Sequence, residues 1–166
     1  MFEHVGVGQY KAFFDQVSSL LKPDGVAVLH SIGRMDGPGT TNPWLRKYIF
    51  PGGYSPAISE VVPVIERARL WITDIEVLRL HYAETLKAWR RRFLQHRDEV
   101  LKLYDERFCR MWDYYLCCCA GGFRSRQINV GQFVLSPRGV PGGWRRSYPA
   151  SAGAAKRPTT SPLPTT

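Results

Sequence analysis

His30 is the first residue of this chain whose position suggests chemistry. It closes the unbroken apolar run Val26-Ala27-Val28-Leu29 and opens a stretch rich in glycine and proline. In a doubly wound sheet, ligands bind just beyond the carboxyl ends of the strands, and an imidazole there can exchange a proton near neutral pH. Glu3 belongs with it. If a strand precedes Met1, Glu3 lies at that strand's carboxyl end, beside His30. A buried carboxylate near a histidine can tune proton transfer or hold a small anion through shared protons. Spacing alone leaves the plainer reading open, a histidine that merely hydrogen-bonds a loop. Tyr82, on the apolar face of a later helix, reads by itself as core.

Other chemistries are disfavoured. The cysteines are Cys109 and the run Cys117-Cys118-Cys119. Consecutive helical positions point about 100° apart, so the run cannot close one tetrahedral zinc site, and neighbours in sequence make poor disulfide partners. They read as reduced, mostly buried thiols. Gly6-Val7-Gly8 resembles part of a dinucleotide loop but lacks the third glycine and a leading strand.

The composition, with 44% hydrophobic and 13% aromatic residues among 166, is that of a globular domain. No stretch approaches the ~20 apolar residues of a membrane span, and the start has no secretory pattern, so a cytoplasmic protein is expected. The net charge of +9 is uneven. From Ser136 onward the chain carries Arg138, Arg145, Arg146, Lys156 and Arg157 and no acid. The remaining body is mildly basic, which suits anionic phospholipid as well as RNA.

The elements that must position these residues follow from periodicity. Tyr10, Phe13, Phe14, Val17 and Leu21 mark one face of a helix, stopped by Lys22-Pro23-Asp24-Gly25. Val26 to Leu29 then reads as a strand buried on both faces of a parallel sheet. Ser31 to Tyr54 reads as a long loop that covers a site. Ser55-Pro56 is expected to open a helix that Pro63 kinks or restarts. Leu70 to Val77 reads as a strand. Two long helices follow, one bearing Tyr82, Leu86, Trp89 and Phe93. The other is capped by Asp98, has a seam through Tyr115 and Cys119, and ends at Gly121-Gly122. Ile128 to Leu135 is expected to be the last strand, and residues 136–166 a Pro/Gly/Arg-rich disordered tail.

Several blocks, in order, carry a resemblance. They are Met1-Phe2-Glu3-His4-Val5-Gly6, Leu21-Lys22-Pro23-Asp24-Gly25, Leu29-His30-Ser31-Ile32-Gly33, the stretch from Asn42 to Gly53, His81-Tyr82-Ala83-Glu84, and Tyr104 to Leu116. Over residues 1–135 the chain resembles the cyclopropane-fatty-acyl-phospholipid synthase family. The resemblance implies an α/β fold, the C-terminal half of a class I (Rossmann-like) methyltransferase domain with two extra long helices before the last strand. It implies transfer of the methyl group of S-adenosylmethionine to a cis double bond of a phospholipid acyl chain, followed by proton removal and ring closure. In this family the base is a bound bicarbonate, and its holders correspond here to Glu3, His30, Ile32 and Tyr82, with Glu3, His30 and Tyr82 catalytic.

Two features of the family fall outside the match. The residues that hold the cofactor are expected upstream of Met1, so the isolated chain is expected to bind S-adenosylmethionine weakly or not at all and to be inactive alone. None of the four cysteines matches the family's active-site cysteine. The resemblance also implies phospholipid acyl chains as partners at the inner face of the membrane, with no nucleic acid, and it is compatible with a homodimer. The other readings are a related methyltransferase on a different small molecule or lipid, and a basic module that uses its tail on anionic membrane or RNA.

Overall fold

The computed structural model describes residues 1–146. After two short 3-10 turns (Phe2–His4 and Val7–Gln9) come α1 (Tyr10–Leu20), β1 (Ala27–Arg34), α2 (Pro43–Tyr48), α3 (Ile58–Arg67), β2 (Trp71–Val77), α4 (Arg79–Gln95), α5 (Arg97–Val100), α6 (Glu106–Arg124) and β3 (Ile128–Ser136). The three strands form one sheet in the order β1-β3-β2, with β3 antiparallel to both neighbours.

Side chains on successive strand residues point to opposite faces, and the two faces carry different cores. Leu29, Phe133 and Leu135 face α1 and α3, where Phe2, Tyr10, Phe14 and Ile65 are buried. Ile32 and Val130 face α4 and α6, where Leu86, Leu116 and Phe123 are buried. The result is a sheet between two helical layers.

Several expectations are corrected. β1 does not stop at Leu29: it runs to Arg34, because Ser31 to Arg34 pair with Gly131 to Ile128 of β3. His30 therefore lies within the strand rather than at its end. The pairing of β1 is antiparallel, and its apolar run is not covered on both faces, since Val28 is 57% exposed. The expected loop up to Tyr54 holds strand at its start and α2 in its middle, capped by the Asn42 side chain, which accepts from the Trp44 N–H at 2.9 Å. Ser55 does not cap α3. Ala57 does, its N–H donating to Glu60 Oε2 at 2.8 Å, and Pro63 sits inside the helix without ending it. Asp98 lies in α5, and the cap of α6 is Asp105, whose carboxylate accepts from the Phe108 N–H at 2.7 Å. Gly121 and Gly122 are within α6, which continues to Arg124. Cys109 is buried, but Cys117 and Cys118 are exposed.

Ser136, where the composition changes, is the fully buried last residue of β3. The chain then stays on the body as far as Arg146, whose guanidinium pairs with Asp74 and, at 3.5 Å, with Glu76 of β2. The rest of the expected disordered tail, 147–166, lies outside the described residues.

Candidate functional site

Glu3 is fixed from two sides. Its carbonyl accepts the Tyr54 N–H at 2.8 Å, and its Oε1 accepts the Ile32 N–H at 2.6 Å and the Ser31 hydroxyl at 3.2 Å. The Ile32 N–H and the Arg34 N–H, which donates to the Pro56 carbonyl at 3.0 Å, lie on the edge of β1 that β3 does not use. A carboxylate side chain and a loop carbonyl thus satisfy these two N–H groups of that edge. Gly33 makes this possible, because a Cβ there would come within 2.9 Å of the Pro56 oxygen. Phe2 anchors the turn, buried and stacked on Tyr10 with ring centroids 4.5 Å apart. The Met1 ammonium lies 3.1 Å from Glu3 Oε2.

Electrostatics keeps Glu3 charged. Burial opposes its ionisation, but the Ile32 N–H, then the N–H of Glu3 itself and the Met1 ammonium, together outweigh burial and hold the carboxyl below its usual range. Tyr82 is shifted to keep its proton. Burial chiefly, then the Glu3 charge and Cys119, raise its hydroxyl above the ordinary phenol value. The hydroxyl has no hydrogen-bond partner among the described residues. The ring is held against Phe123 at 4.9 Å. The start of α4 is pinned by the Leu78 N–H on the Val130 carbonyl (2.8 Å) and by Arg79 Nη1 on the Phe123 carbonyl (2.5 Å).

Glu3, His30, Ile32 and Tyr82 all line one cavity of about 360 Å³. β1 supplies His30 and Ile32 from the same face, and His30 Nδ1 is 3.2 Å from the Gln132 side-chain nitrogen. Leu86, Phe123 and Ile128 give the cavity an apolar wall, and Leu45 and Phe50 come from the α2 region. The Ile32 N–H is committed to Glu3 and orients that carboxylate. A second cavity of about 580 Å³ shares Thr41, Leu45, Ser55, Cys119 and Ile128 with the first.

One supporting group and two lining groups escaped the sequence reading. Ser31, which donates to Glu3 from the face of β1 opposite His30 and Ile32, was hidden because β1 was ended too early. Tyr115, 8% exposed, and Cys119 were legible as seam positions of a helix but not as cavity walls. Burial raises the Cys119 thiol to about 11, so it stays neutral and acts as an apolar group.

Residues 1–133 match the family described as mycolic acid cyclopropane synthetase. The chain belongs to that family. The Escherichia coli cyclopropane-fatty-acyl-phospholipid synthase is 42% identical over 145 residues, which is 87% of this chain and 37% of that protein. Tuberculostearic acid methyltransferase UfaA1 of Mycobacterium tuberculosis is 39% identical, over 85% of this chain and 34% of that protein. The chain therefore spans little more than a third of the length of these relatives. Among solved structures, the cyclopropane synthase MmaA2 of M. tuberculosis superposes with a TM-score of 0.75 at 31% identity, covering 81% of this chain and 52% of that one. The mycolic acid cyclopropane synthase CmaA1, solved with SAH and CTAB, gives 0.74 at 30% identity, with the same coverage. The fold is accordingly that of the C-terminal half of a class I methyltransferase domain.

Proposed function

We propose that this chain forms the proton-handling and acyl-chain half of an S-adenosylmethionine-dependent methyltransferase. Its substrates would be cis-unsaturated phospholipid acyl chains at the inner face of the membrane, converted to cyclopropane chains. The observation that carries this reading is the convergence of Glu3, His30, Ile32 and Tyr82 on one cavity with an apolar wall. S-adenosylmethionine, when bound, supplies the methyl group, and bicarbonate, when bound, accepts a proton of that methyl as the ring closes.

The residues of this chain suit such an anion. Glu3, fixed by Ile32 and Ser31, accepts a proton shared with a bicarbonate hydroxyl, while the protonated Tyr82 hydroxyl donates to an anionic oxygen. His30, beside Gln132, lines the same cavity and offers a further proton-exchanging group. Leu86, Phe123 and Ile128 exclude water, which would otherwise capture a cationic chain. The acyl chain runs past Leu45, Cys119 and Ile128 into the larger cavity. No residue of this chain is assigned to hold S-adenosylmethionine.

The test is a chimera in which this chain replaces the matching stretch of the E. coli synthase. It is given S-adenosylmethionine and vesicles of cis-monounsaturated phospholipid, and the acyl chains are analysed by mass. The expected product is an acyl chain heavier by one CH2. A folded chimera that makes no such product refutes the assignment.

A further inference from the structure

An acyl substrate must arrive from a bilayer, and one face of this protein has the chemistry to meet it. We infer that the groove between α2 and the N-terminal half of α6 is the surface on which the protein seats on an anionic phospholipid bilayer, an assignment that rests on reading the cavity as an acyl site. The groove, about 320 Å³, is lined by Trp44, Tyr48, Arg107, Arg110, Met111 and Tyr114.

Its composition is that of an interfacial contact. Tyr48 and Tyr114 are 39% and 54% exposed, and both pack on Trp44, at 5.7 and 4.8 Å between ring centroids. Aromatic rings with a polar atom favour the level of the lipid headgroups. Arg46 and Lys47 on α2 and Arg107 and Arg110 on α6 surround them, all exposed. Arg46, Lys47 and Arg107 have no acidic partner among the described residues. Of the nearby acids, Asp105 caps α6, Glu106 pairs with Arg97 at 2.5 Å as well as with Arg110 at 3.8 Å, and Asp113 pairs with Arg90 at 2.7 Å. The face therefore carries an excess of positive charge, which anionic headgroups complement.

Geometry links this face to the proposed chemistry. Trp44 lines both the groove and the larger cavity, and the next residue, Leu45, lines both cavities. Helix α2 is thus the partition between the outer surface and the site. A single-stranded nucleic acid fits less well, since Trp44 and Tyr114 meet edge to face at 80° and offer no open stacking platform.

The experiment is co-sedimentation of the full chain with phosphatidylcholine vesicles, with and without phosphatidylglycerol, at low ionic strength. The parent chain is expected to bind only the phosphatidylglycerol vesicles. The double variant R107Q/R110Q is expected to bind about thirtyfold more weakly, as two lost charges at a lipid surface imply. R91Q/R92Q, which removes the same charge from the exposed side of α4, is expected to bind as the parent does. Circular dichroism checks that both variants are folded. Equal loss in the two variants, unchanged binding by R107Q/R110Q, or no binding by the parent chain overturns the inference. So does tighter binding to a mixed-sequence single-stranded RNA through the same two arginines. Because the readout is partitioning, its failure is distinct from failure of the acyl reading, which product analysis decides.

Discussion

The Glu3 carboxylate accepts the Ile32 N–H at 2.6 Å and so ties the first turn of the chain to the outer edge of β1. This bond serves both stability and the proposed chemistry. Glu3→Ala leaves the Ile32 N–H unpaired in a half-buried place and is expected to cost about 2 kcal/mol in chemical denaturation. The pH dependence follows from the direction of the shift. The folded-state pKa of Glu3 lies below its unfolded value, so the folded state binds fewer protons between the two. Its stabilisation is present above the usual glutamate range, about pH 4.3, and is lost as pH falls through the lower folded value. Glu3→Gln should therefore flatten the acid limb of the stability curve.

Tyr82→Phe is expected to separate chemistry from folding. The ring contacts with Phe123 and Trp89 remain, and the hydroxyl lost had no partner among the described residues, so stability should change by less than about 1 kcal/mol. Ring formation by the chimera should fall by at least about a hundredfold. Melting and product analysis of the same preparation check both halves.

The cysteines should divide by environment. Cys117 and Cys118 are exposed, Cys109 is buried, and the Cys119 thiol is held at about 11. Only the thiolate reacts with a maleimide. Brief labelling near pH 7 followed by peptide mass spectrometry should therefore find adducts at Cys117 and Cys118 and almost none at Cys109 or Cys119.

Arg146 carries the segment after β3 back onto β2. Its hydrogen bonds to Asp74 hold that carboxyl below the usual aspartate range. Arg146→Gln is expected to lower the melting temperature at neutral pH. Since a depressed carboxylate stabilises only while ionised, the gap between variant and parent should close as the pH drops through the folded Asp74 value. Melting curves at several pH values test this.

Periodicity made the long elements legible. The apolar spacing of Tyr10, Phe14 and Val17 corresponds to α1, and that of Tyr82 to Phe93 corresponds to α4. What periodicity could not reveal was set by distant partners. Ser31 to Arg34 look like loop, but β3 supplies a ladder for them, and the antiparallel sense of that pairing is a non-local property. The start of α6 depends on the Asp105 side chain, which local sequence did not separate from the alternative cap at Asp98. Glu3, His30 and Tyr82 lie far apart along the chain. A strand supposed before Met1 set Glu3 beside His30, but only the resemblance added Tyr82; all three line one cavity. Cys119 was set aside as a thiol without a role, although the turn of α6 that carries it faces the same cavity.

The central claim is that the groups around Glu3 and Tyr82 handle a proton taken from the transferred methyl. The most direct test is to run the chimera with S-adenosylmethionine carrying a fully deuterated methyl and to weigh the acyl products. Ring closure predicts products that retain one deuteron fewer than was transferred, and their loss in Glu3→Gln. Products that keep every deuteron would mean a methyl branch rather than a ring, and would contradict the account.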